Sequence, residues 1–391
     1  MKKIFVVALS ALGLTILAGC NNNGASKDIM ISEYIAGSDS NQAIEIYNNS
    51  DKEINLADYS IGIYAIKDKA GAPTTKVNLE GTIASKKTFV IVNKSADKEL
   101  LDKADLKSET LSFGGKEGIS LMHKDTDLDV IGSLGIRNQN MNLAFIRKTW
   151  MTTPSSKFNL TDDYLYYNPE DAVKYLGEFK NSVTKDDLLA GPKFVEDYLD
   201  IDFYEHVTSY TGTGGAVEVT LDGNIDGDTS YFIFPEEAHV NEYMKDLYTR
   251  DGLYCGKVRY QEVDTPETQV QNKKVELFGW PAKLNTAKLQ DEADHIYVQS
   301  NAKQAMVENY GRMLGFVFVV KGNDSTLVNF DTIKHGYSTA TLVFNGYIKY
   351  LDCPYYNFFV EAEKYAKENK LGLNGEVDPY WDYENNKSKM L

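Results

Sequence analysis

The chain is 391 residues long, which at roughly 100–200 residues per domain predicts two or three domains. Hydrophobic residues make up 42% and charged residues 25%, which is typical of a globular protein and excludes disorder throughout. With 57 acidic and 41 basic residues the net charge is −16, which argues against nucleic-acid binding through bulk electrostatics. The three Cys exclude a disulfide scaffold and a Cys-rich zinc module, and the five His disfavour a multi-His metal centre.

The N-terminus has the features of an export signal. Lys2 and Lys3 precede an apolar run over residues 4–16, which is too short to span a bilayer comfortably but fits the hydrophobic region of a signal peptide. No later segment stays apolar for long enough to span a membrane. The sequence therefore predicts a protein that is exported from the cytoplasm.

Cys20 follows Leu-Ala-Gly at residues 17–19, and this pattern resembles the lipobox of bacterial lipoproteins. The resemblance implies that residues 1–19 are a signal peptide and that the Cys20 thiol carries a diacylglycerol. Because each buried lipid CH₂ contributes roughly 0.8 kcal/mol, acyl chains on Cys20 would hold the protein on a membrane. The alternative is an ordinary secretory signal with a chance cysteine. The small polar residues at 20–27 predict a flexible tether.

Residues 28–148 are predicted to be a β-sandwich. Ile44 and Ile46 alternate with other residue types before a turn signal at residues 48–51. Residues 89–92 have the continuous apolar pattern of a strand that is buried on both faces. Short strands separated by turn residues are typical of a sandwich.

The order of these strands resembles that of a lamin-tail domain, which is an immunoglobulin-like β-sandwich. The resembling segments are residues 31–34, 43–48, 54–60, 87–92 and 118–121. These motifs are structural, so they imply a fold and no chemistry. In secreted enzymes the resemblance implies a positioning or binding role, and an inert spacer is the alternative.

Residues 149–213 are predicted to be an aromatic-rich, partly helical connector. Asn168 and Pro169 are the residue types expected at a helix cap and first turn. Aromatic residues such as Tyr164 and Phe203 are dense in this segment, which favours packing against a neighbouring domain over a free linker. A second interpretation of these aromatic residues is that they stack on nucleic-acid bases. The sequence assigns no function to residues 149–213.

Three charged motifs follow within residues 214–375. The first is Asp-Gly-Asp-Thr at residues 226–229, which by itself is an everyday turn. The second is Arg-Tyr-Gln-Glu-Val-Asp-Thr-Pro-Glu-Thr at residues 259–268, which is rarer because Arg and Glu bracket an Asp-Thr-Pro. The third is Glu-Asn-Tyr-Gly-Arg at residues 308–312, which leads into an alternating strand. In this order the motifs resemble the staphylococcal nuclease (thermonuclease) family.

The resemblance implies an OB-fold β-barrel of five strands with flanking helices, a fold that commonly binds single strands. Two helices are predicted independently, at residues 281–290 from a Pro in the first turn and at residues 358–366 from an apolar stripe. With the sandwich, the predicted fold class is mainly β with α. Residues 234–252 are predicted to be an extended hairpin loop or inserted helix, and residues 376–391 a C-terminal tail.

The second domain contains candidate ligands for a hard divalent cation, which prefers oxygen donors. Asp228, Asp264 and the backbone carbonyl of Thr265 can supply them, with positions left open for a phosphate oxygen and water. The scarcity of thiols and His disfavours zinc or soft-metal chemistry. The cofactor that the resemblance implies is Ca²⁺.

Arg259 and Arg312 match the two catalytic arginines of the family, and guanidinium groups suit the charge that builds on an attacked phosphodiester. By the same resemblance Glu267 orients or deprotonates the attacking water. Tyr310 is a candidate for stacking on the substrate nucleotide or hydrogen-bonding to it, and a packed tyrosine at a strand start is the alternative. Family members often have Lys where this chain has Asn309, and this departure removes a phosphate contact.

The combined interpretation is a membrane-anchored, extracellular, Ca²⁺-dependent nuclease that cleaves DNA, with RNA as a further substrate, to 3′-phosphate products. A catalytically silent nucleic-acid-binding or adhesin lipoprotein is the alternative. The charge of −16 is compatible with the enzyme, because net charge mainly affects encounter and non-specific affinity. Cys255 and Cys353 are interpreted either as one disulfide or as two free thiols.

Overall fold

The structure of the protein is a computed structural model. The residues it describes are 27–179, 182–203, 214–242, 244–245, 247–268, 275–304, 306–308, 310–344, 347–348 and 352–390. The predicted signal peptide, Cys20 and Asn309 lie outside these residues. No helix within the described ranges combines the length and the apolar character that crossing a membrane requires.

Two packed β-sheets, with a short two-stranded sheet beside them, form the first half of the chain. The strands are β1 (Ile29–Ala36), β2 (Gln42–Asn48), β3 (Ile54–Asn55), β4 (Tyr59–Tyr64), β5 (Thr75–Asn78), β6 (Thr82–Ile83), β7 (Thr88–Asn93), β8 (Leu106–Ser108), β9 (Gly118–His123), β10 (Thr126–Ile131), β11 (Leu143–Arg147) and β12 (Tyr164–Tyr167). One packed sheet has the order β12–β11–β1–β2–β7–β8 and the other β10–β9–β4–β5, and β3 and β6 form the short sheet. Buried residues of both sheets, including Tyr34, Ile46, Ile61 and Leu121, belong to one core. The predicted immunoglobulin-like β-sandwich is confirmed.

The six-stranded sheet is also covered on its outer face, because the chain folds back over it after β12. A single helical turn, Pro169–Ala172, and the 3₁₀ turn Val173–Tyr175 make this cover. Ile35 and Ala43 of the sheet belong to the same buried cluster as Leu176 of the cover. The segment after residue 148 therefore adds both a strand and a layer to the sandwich.

Two carboxylates are buried opposite each other in this outer layer. Glu33 of β1 pairs in register with Glu45 of β2, and at most 1% of either residue is exposed. Glu45 accepts hydrogen bonds from the Ser32 hydroxyl at 2.6 Å and from the Gly177 backbone N–H at 2.5 Å. Burial raises the pKa of Glu45 to about 7, and burial together with the charge of Glu45 raises the pKa of Glu33 well above its usual range. Ionisation of this pair therefore opposes folding.

We expect the free energy of unfolding to fall as the pH rises from about 4.5 to 7, because of Glu45. A carboxyl group whose pKa is higher in the folded state contributes its full stability below the unfolded pKa and loses it as the pH passes the folded value. For Glu45 the shift from 4.5 to about 7 corresponds to about 3 kcal/mol. Urea unfolding across this pH range should show that Glu45→Gln lacks this component. The same pH slope in wild type and variant would contradict the assignment.

A closed barrel forms the second half of the chain. The strands of this half are β13 (Ala216–Asn224), β14 (Thr229–Phe234), β15 (Tyr248–Arg250), β16 (Leu253–Tyr260), β17 (Val263–Asp264), β18 (His295–Gln299), β19 (Met313–Lys321), β20 (Asp324–Leu327), β21 (Thr339–Ala340), β22 (Val343–Phe344), β23 (Tyr347–Ile348), β24 (Trp381–Asp382) and β25 (Lys387–Ser388). The pairs β17–β21, β22–β23 and β24–β25 are separate two-stranded sheets outside the barrel. The main sheet has the order β15–β16–β14–β13–β18–β19–β20, and a parallel pairing of β16 with β19 closes it. The ring β16–β14–β13–β18–β19 matches the predicted five-stranded OB-fold barrel, so the predicted fold class is confirmed.

Helices flank both halves. They are α1 (Lys98–Leu101), α2 (Leu160–Asp163), α3 (Pro169–Ala172), α4 (Lys185–Ala190), α5 (Gly279–Asp291), α6 (Val328–Lys334) and α7 (Tyr356–Glu368). The predicted helices at 281–290 and 358–366 lie within α5 and α7. In α7 the buried residues Phe359, Ala362 and Ala366 follow helical spacing, and the first two belong to the same core as the barrel strands. Between β14 and β15 the described residues include the 3₁₀ turns Glu236–Ala238 and Val240–Glu242, so these turns and β15 lie in the region 234–252 that was predicted to be an extended hairpin loop or inserted helix.

Direct polar contacts join the two halves of the protein. Lys148 forms a buried ion pair with Glu361 of α7. Asn357 at the start of α7 accepts a hydrogen bond from the Tyr166 backbone N–H at 2.9 Å and donates one to its carbonyl at 2.8 Å. The helix α7 therefore lies along the edge of the six-stranded sheet that β12 forms.

The connector also packs on the barrel. Phe194 stacks on Tyr297 of β18 with 4.1 Å between ring centroids, and Lys334 of α6 donates a hydrogen bond to the Leu189 carbonyl at 2.7 Å. These contacts match the packing that its aromatic density predicts. Of the two interpretations of the cysteines, the structure has the second, because Cys255 and Cys353 are both buried free thiols.

Candidate active site

A buried carboxylate, Asp228, lies at the tip of the β13–β14 hairpin. The turn before it requires glycine, since a Cβ at Gly227 would lie 2.9 Å from the Thr265 side chain. Asp228 is 0% exposed. One of its oxygens accepts a hydrogen bond from the Thr229 hydroxyl at 3.0 Å, and the other accepts from the Thr265 backbone N–H at 2.5 Å and hydroxyl at 2.8 Å. The hairpin tip is thereby tied to the segment after β17.

Arg259 connects Asp228 to Asp264. It lies in β16 opposite Thr229 of β14, which places it beside the hairpin tip. One terminal nitrogen of its guanidinium donates to Asp228, and the other donates to Asp264 at 2.6 Å and to the Val263 carbonyl at 3.1 Å. The side chain of Asp264 is 70% exposed, so the guanidinium extends from a buried carboxylate to one at the surface. The structure thus brings Arg259, Asp228, Asp264 and Thr265 into one hydrogen-bonded group.

Arg312 reaches the same end of the barrel from β19. It directly precedes this strand, and the parallel pairing of β19 with β16 places Leu314 opposite Arg259. The two arginines therefore lie at the same end of the barrel, Arg259 near the last residue of β16 and Arg312 just before the first residue of β19. The Nε of Arg312 donates a hydrogen bond to Glu308. This hydrogen bond is the main reason that the pKa of Arg312 is raised.

Asp226 lies within the electrostatic reach of both guanidinium groups. It is 8% exposed, and burial raises its pKa while the charges of Arg259 and Arg312 act in the opposite direction. Its carboxylate accepts a hydrogen bond from the Asp228 backbone N–H at 3.1 Å. Sequence reasoning missed this residue, because the first Asp of an Asp-Gly-Asp turn has no feature that distinguishes it from an ordinary turn former.

Glu267 is close to Arg312, since its charge adds to that of Asp226 in raising the pKa of Arg312. Its backbone is held on both sides by Glu276, whose carboxylate accepts from the Glu267 N–H at 3.1 Å and whose N–H donates to the Glu267 carbonyl at 2.8 Å. Gly279 at the start of α5 passes so close that a Cβ there would lie 2.5 Å from the same carbonyl oxygen. These contacts fix the backbone of Glu267 against the start of α5.

Two further side chains lie at the rim of the site. Tyr310 is 79% exposed, so it is not the packed strand-start tyrosine of the alternative interpretation. The neighbouring Gly311 has a φ of +86°, and a Cβ there would lie 2.6 Å from the Lys245 side chain. Lys245 therefore brings an exposed positive charge to the loop that carries Arg312. Its sequence position, between the first two motifs, gives no signal of this proximity.

The carboxylates of Asp228 and Asp264 are the oxygen donors that a hard cation would use, and in this structure Arg259 bridges them. Asp228 and Asp264 both bind the Arg259 guanidinium, so their carboxylates lie within reach of a single positive charge. All the donors are oxygen atoms, the type that Ca²⁺ prefers. Among the described residues no three Asp, Glu, His or Cys side chains form a cluster that could hold a metal ion. Ligands beyond the two carboxylates would therefore be carbonyl oxygen, water or phosphate.

Comparison with protein families agrees with this architecture. Residues 22–135 match the family described as Lamin Tail Domain, and residues 257–374 match the family described as Staphylococcal nuclease homologue. The chain therefore contains a lamin tail domain followed by a staphylococcal nuclease-like domain, and both resemblances are confirmed. The second match includes Arg259, Glu267 and Arg312, whereas the hairpin that carries Asp228 precedes it.

Two relatives from Bacillus subtilis (strain 168) are similar to the nuclease-like part. The SPbeta prophage-derived endonuclease YokF is 31% identical over 163 residues, which cover 40% of this chain and 44% of that protein. Endonuclease YncB is 32% identical over 163 residues, which cover 40% of this chain and 61% of that protein. The chain thus spans about half the length of these relatives. The uncharacterized protein MJ1439 of Methanocaldococcus jannaschii is 27% identical over 212 residues, which cover 48% of this chain and 83% of that protein.

Proposed function

We propose that the protein is a Ca²⁺-dependent nuclease that hydrolyses phosphodiester bonds of DNA, with RNA as a further substrate, to 3′-phosphate products. The observation that carries this proposal is that neighbouring parallel strands bring Arg312 beside Arg259, which is hydrogen-bonded to the carboxylates of Asp228 and Asp264. The names of YokF and YncB, both endonucleases, support the same class of enzyme.

The arginines bind the phosphate and stabilise the charge that builds on its oxygens during attack. A planar guanidinium meets a phosphoryl group with two parallel hydrogen bonds, which a lysine cannot do. Arg312 is suited to this role because only its Nε is engaged, by Glu308, in the described part of the chain. Arg259 holds the phosphate beside Asp264, and Tyr310 and Lys245 at the rim contact the flanking nucleotides.

Glu267 orients or deprotonates the attacking water. A general base must lie within hydrogen-bond reach of the proton it takes, and the fixed backbone of Glu267 keeps its carboxylate close to Arg312. The base and the phosphate-binding group thereby act on the same phosphodiester.

Asp228, Asp264 and the Thr265 carbonyl would hold Ca²⁺, which when bound polarises the phosphodiester and helps to orient the nucleophile. Arg259 binds the same two carboxylates, so the cofactor and the phosphate-binding guanidinium have ligands in common. Because Ca²⁺ and the guanidinium compete for these carboxylates, we expect activity to rise with Ca²⁺ concentration until the site is saturated.

The proposal extends to location. A lipid on Cys20 would anchor the protein at the extracytoplasmic face of the cell membrane, and residues 20–27 would act as the tether. The lamin tail domain would then separate the membrane from the nuclease-like domain, to which the Lys148–Glu361 ion pair joins this half of the chain. Labelling of the protein by a radioactive fatty acid, and its loss in a Cys20→Ser variant, would test the anchor.

A digestion assay tests the proposed activity. We expect the purified protein to cleave single- and double-stranded DNA in millimolar Ca²⁺, with complete loss of cleavage when EGTA is added in excess. The ends of the products should resist extension by a polymerase until a phosphatase removes the 3′-phosphate. A properly folded protein that cleaves neither DNA nor RNA at any Ca²⁺ concentration would contradict the proposal and favour a silent nucleic-acid-binding lipoprotein.

A further inference from the structure

A cavity of about 650 Å³ lies where the two halves of the protein meet. Its walls come from β12, from the connector that follows and from the start of α7. Ligand sites of roughly 300–1,000 Å³ occur preferentially at such domain interfaces. Asp228, Arg259 and Arg312 do not line this cavity, so it is separate from the candidate active site.

Aromatic rings form much of the cavity wall. Tyr167 and Tyr175 have 5.3 Å between their ring centroids, with a 52° angle between the rings. Tyr356 and Phe358 line the cavity from the start of α7. Rings presented in this way stack on planar bases without regard to sequence, because every base has a π-face.

The cavity also has a positive charge balance. Lys174, Lys193 and Lys303 line it, against Asp171 and Asp187. The lining therefore has one more lysine than aspartate, although the whole chain has a net charge of −16. Local charge of this kind attracts an anionic ligand even where the whole protein is acidic.

Lys303 differs from the other two lysines in the contacts of its amino group. Lys174 lies over the Tyr175 ring at 5.0 Å, and Lys193 donates a hydrogen bond to the Ser325 carbonyl at 3.2 Å. Within the described ranges, the amino group of Lys303 has neither a hydrogen bond nor an ion pair. Burial lowers the pKa of Lys303, against the weaker opposite effect of two aspartates. A partly desolvated ammonium group gains from an anionic partner.

We propose that this cavity binds a nucleotide, with its base against Tyr175 and its phosphate against Lys303. The ligand is either a free nucleotide or one nucleotide of a single strand, since both offer the same base and phosphate. The choice of a nucleotide among anionic aromatic ligands rests on the proposed nuclease function. The geometry that carries the proposal, aromatic rings and lysines around one cavity, does not depend on catalysis.

One loop contributes a residue to the cavity and also leads to the candidate active site. Lys303 belongs to the loop between β18 and β19, which ends at Arg312. The next residue, Gln304, donates a hydrogen bond to Glu262 at 2.9 Å and accepts one from Gln261 at 3.2 Å. A nucleotide bound at Lys303 would therefore contact the same loop that presents Arg312 to the substrate.

Binding measurements on the full chain test the proposal. We would follow fluorescently labelled thymidine monophosphate and a labelled single-stranded oligothymidylate by anisotropy, in EGTA so that no substrate is cleaved. Lys303→Glu should weaken binding at least about tenfold, as expected when a charge-assisted contact is replaced by repulsion. Lys321→Glu is the matched control, since this exposed lysine outside the cavity forms only a surface ion pair with Glu292. Its affinity should stay close to that of wild type.

Two further variants separate the contribution of charge from that of stacking. Lys303→Met removes the charge without adding repulsion, and Tyr175→Leu removes the stacking face while keeping apolar volume. Both variants should weaken binding, provided that thermal unfolding shows that they fold.

Lys303-dependent binding of the mononucleotide would identify a free-nucleotide site, and Lys303-dependent binding of the oligonucleotide alone would identify a strand site. Absence of saturable binding, or binding insensitive to Lys303, would overturn the proposal. Cleavage with no such binding would refute the cavity site alone, whereas Lys303-dependent binding without cleavage would refute only the nuclease function.

Discussion

Replacing Arg312 by alanine is expected to lower the rate of DNA hydrolysis by about 100- to 1,000-fold, the usual cost of removing one donor that stabilises transition-state charge. Arg312 is the clearest site for this test, because its terminal nitrogens have no hydrogen-bond partner in the described part of the chain and its Nε contacts only Glu308. The loss of that partly buried ion pair should change the free energy of unfolding by about 1 kcal/mol or less. Initial rates at saturating Ca²⁺, with a thermal unfolding curve for each protein, would measure both quantities.

Two comparisons separate catalysis from folding. Arg250, the last residue of β15, is an exposed arginine that forms an ion pair with Asp222. Arg250→Ala should therefore leave the rate of DNA hydrolysis close to that of wild type. Arg312→Lys retains the charge but not the bidentate geometry, so it should recover only part of the activity. Arg259→Ala is less suitable, since it would leave the fully buried Asp228 without its cationic partner and destabilise the fold. An Arg312→Ala protein as active as wild type would exclude the proposed role.

The barrel and most of the candidate site could be predicted because their signals are local. The hairpin turn at Asp228, the end of β16 at Arg259 and the start of β19 at Arg312 are each encoded by a short motif. The order of these motifs along the chain resembles that of the staphylococcal nuclease family, and this resemblance predicted that they meet at one end of a barrel. The pairing of β16 with β19 supplies the closure.

The features that could not be predicted depend on contacts between distant segments. The burial of Glu33 and Glu45 follows from a cover that arrives more than a hundred residues later, at Gly177. The partnership of Arg259 with Asp228 joins two motifs that are about thirty residues apart in the sequence. The positive cavity requires β12, the connector and α7 together, and no single segment of the sequence has a binding motif for it. Periodicity and turn rules describe segments one at a time, so they carry no information about these contacts.

Replacing Lys148 by methionine is expected to lower the free energy of unfolding by about 3–5 kcal/mol, the typical cost of leaving a buried charge without its partner. Lys148 and Glu361 are each 1% exposed, and the lysine also donates a hydrogen bond to the Thr161 carbonyl at 2.7 Å. Because Glu361 lies on α7, its unpaired carboxylate would be trapped where the helix meets the sandwich. Urea unfolding of the full chain would measure the loss, and limited proteolysis would show whether the two halves separate more readily.

The ion pair joins the sandwich half of the chain to α7, and neither Lys148 nor Glu361 belongs to the candidate active site. If the lost stability comes from an uncompensated charge, the double variant Lys148→Met/Glu361→Leu should recover most of it, since an apolar pair of similar size avoids desolvating two ions. Lys185→Met is the matched control: its partner Glu368 is on the same helix, but the pair is exposed, so the change should be about 0.5 kcal/mol or less. Equal losses in Lys148→Met and Lys185→Met, or no recovery in the double variant, would show that the buried pair does not hold the two domains together.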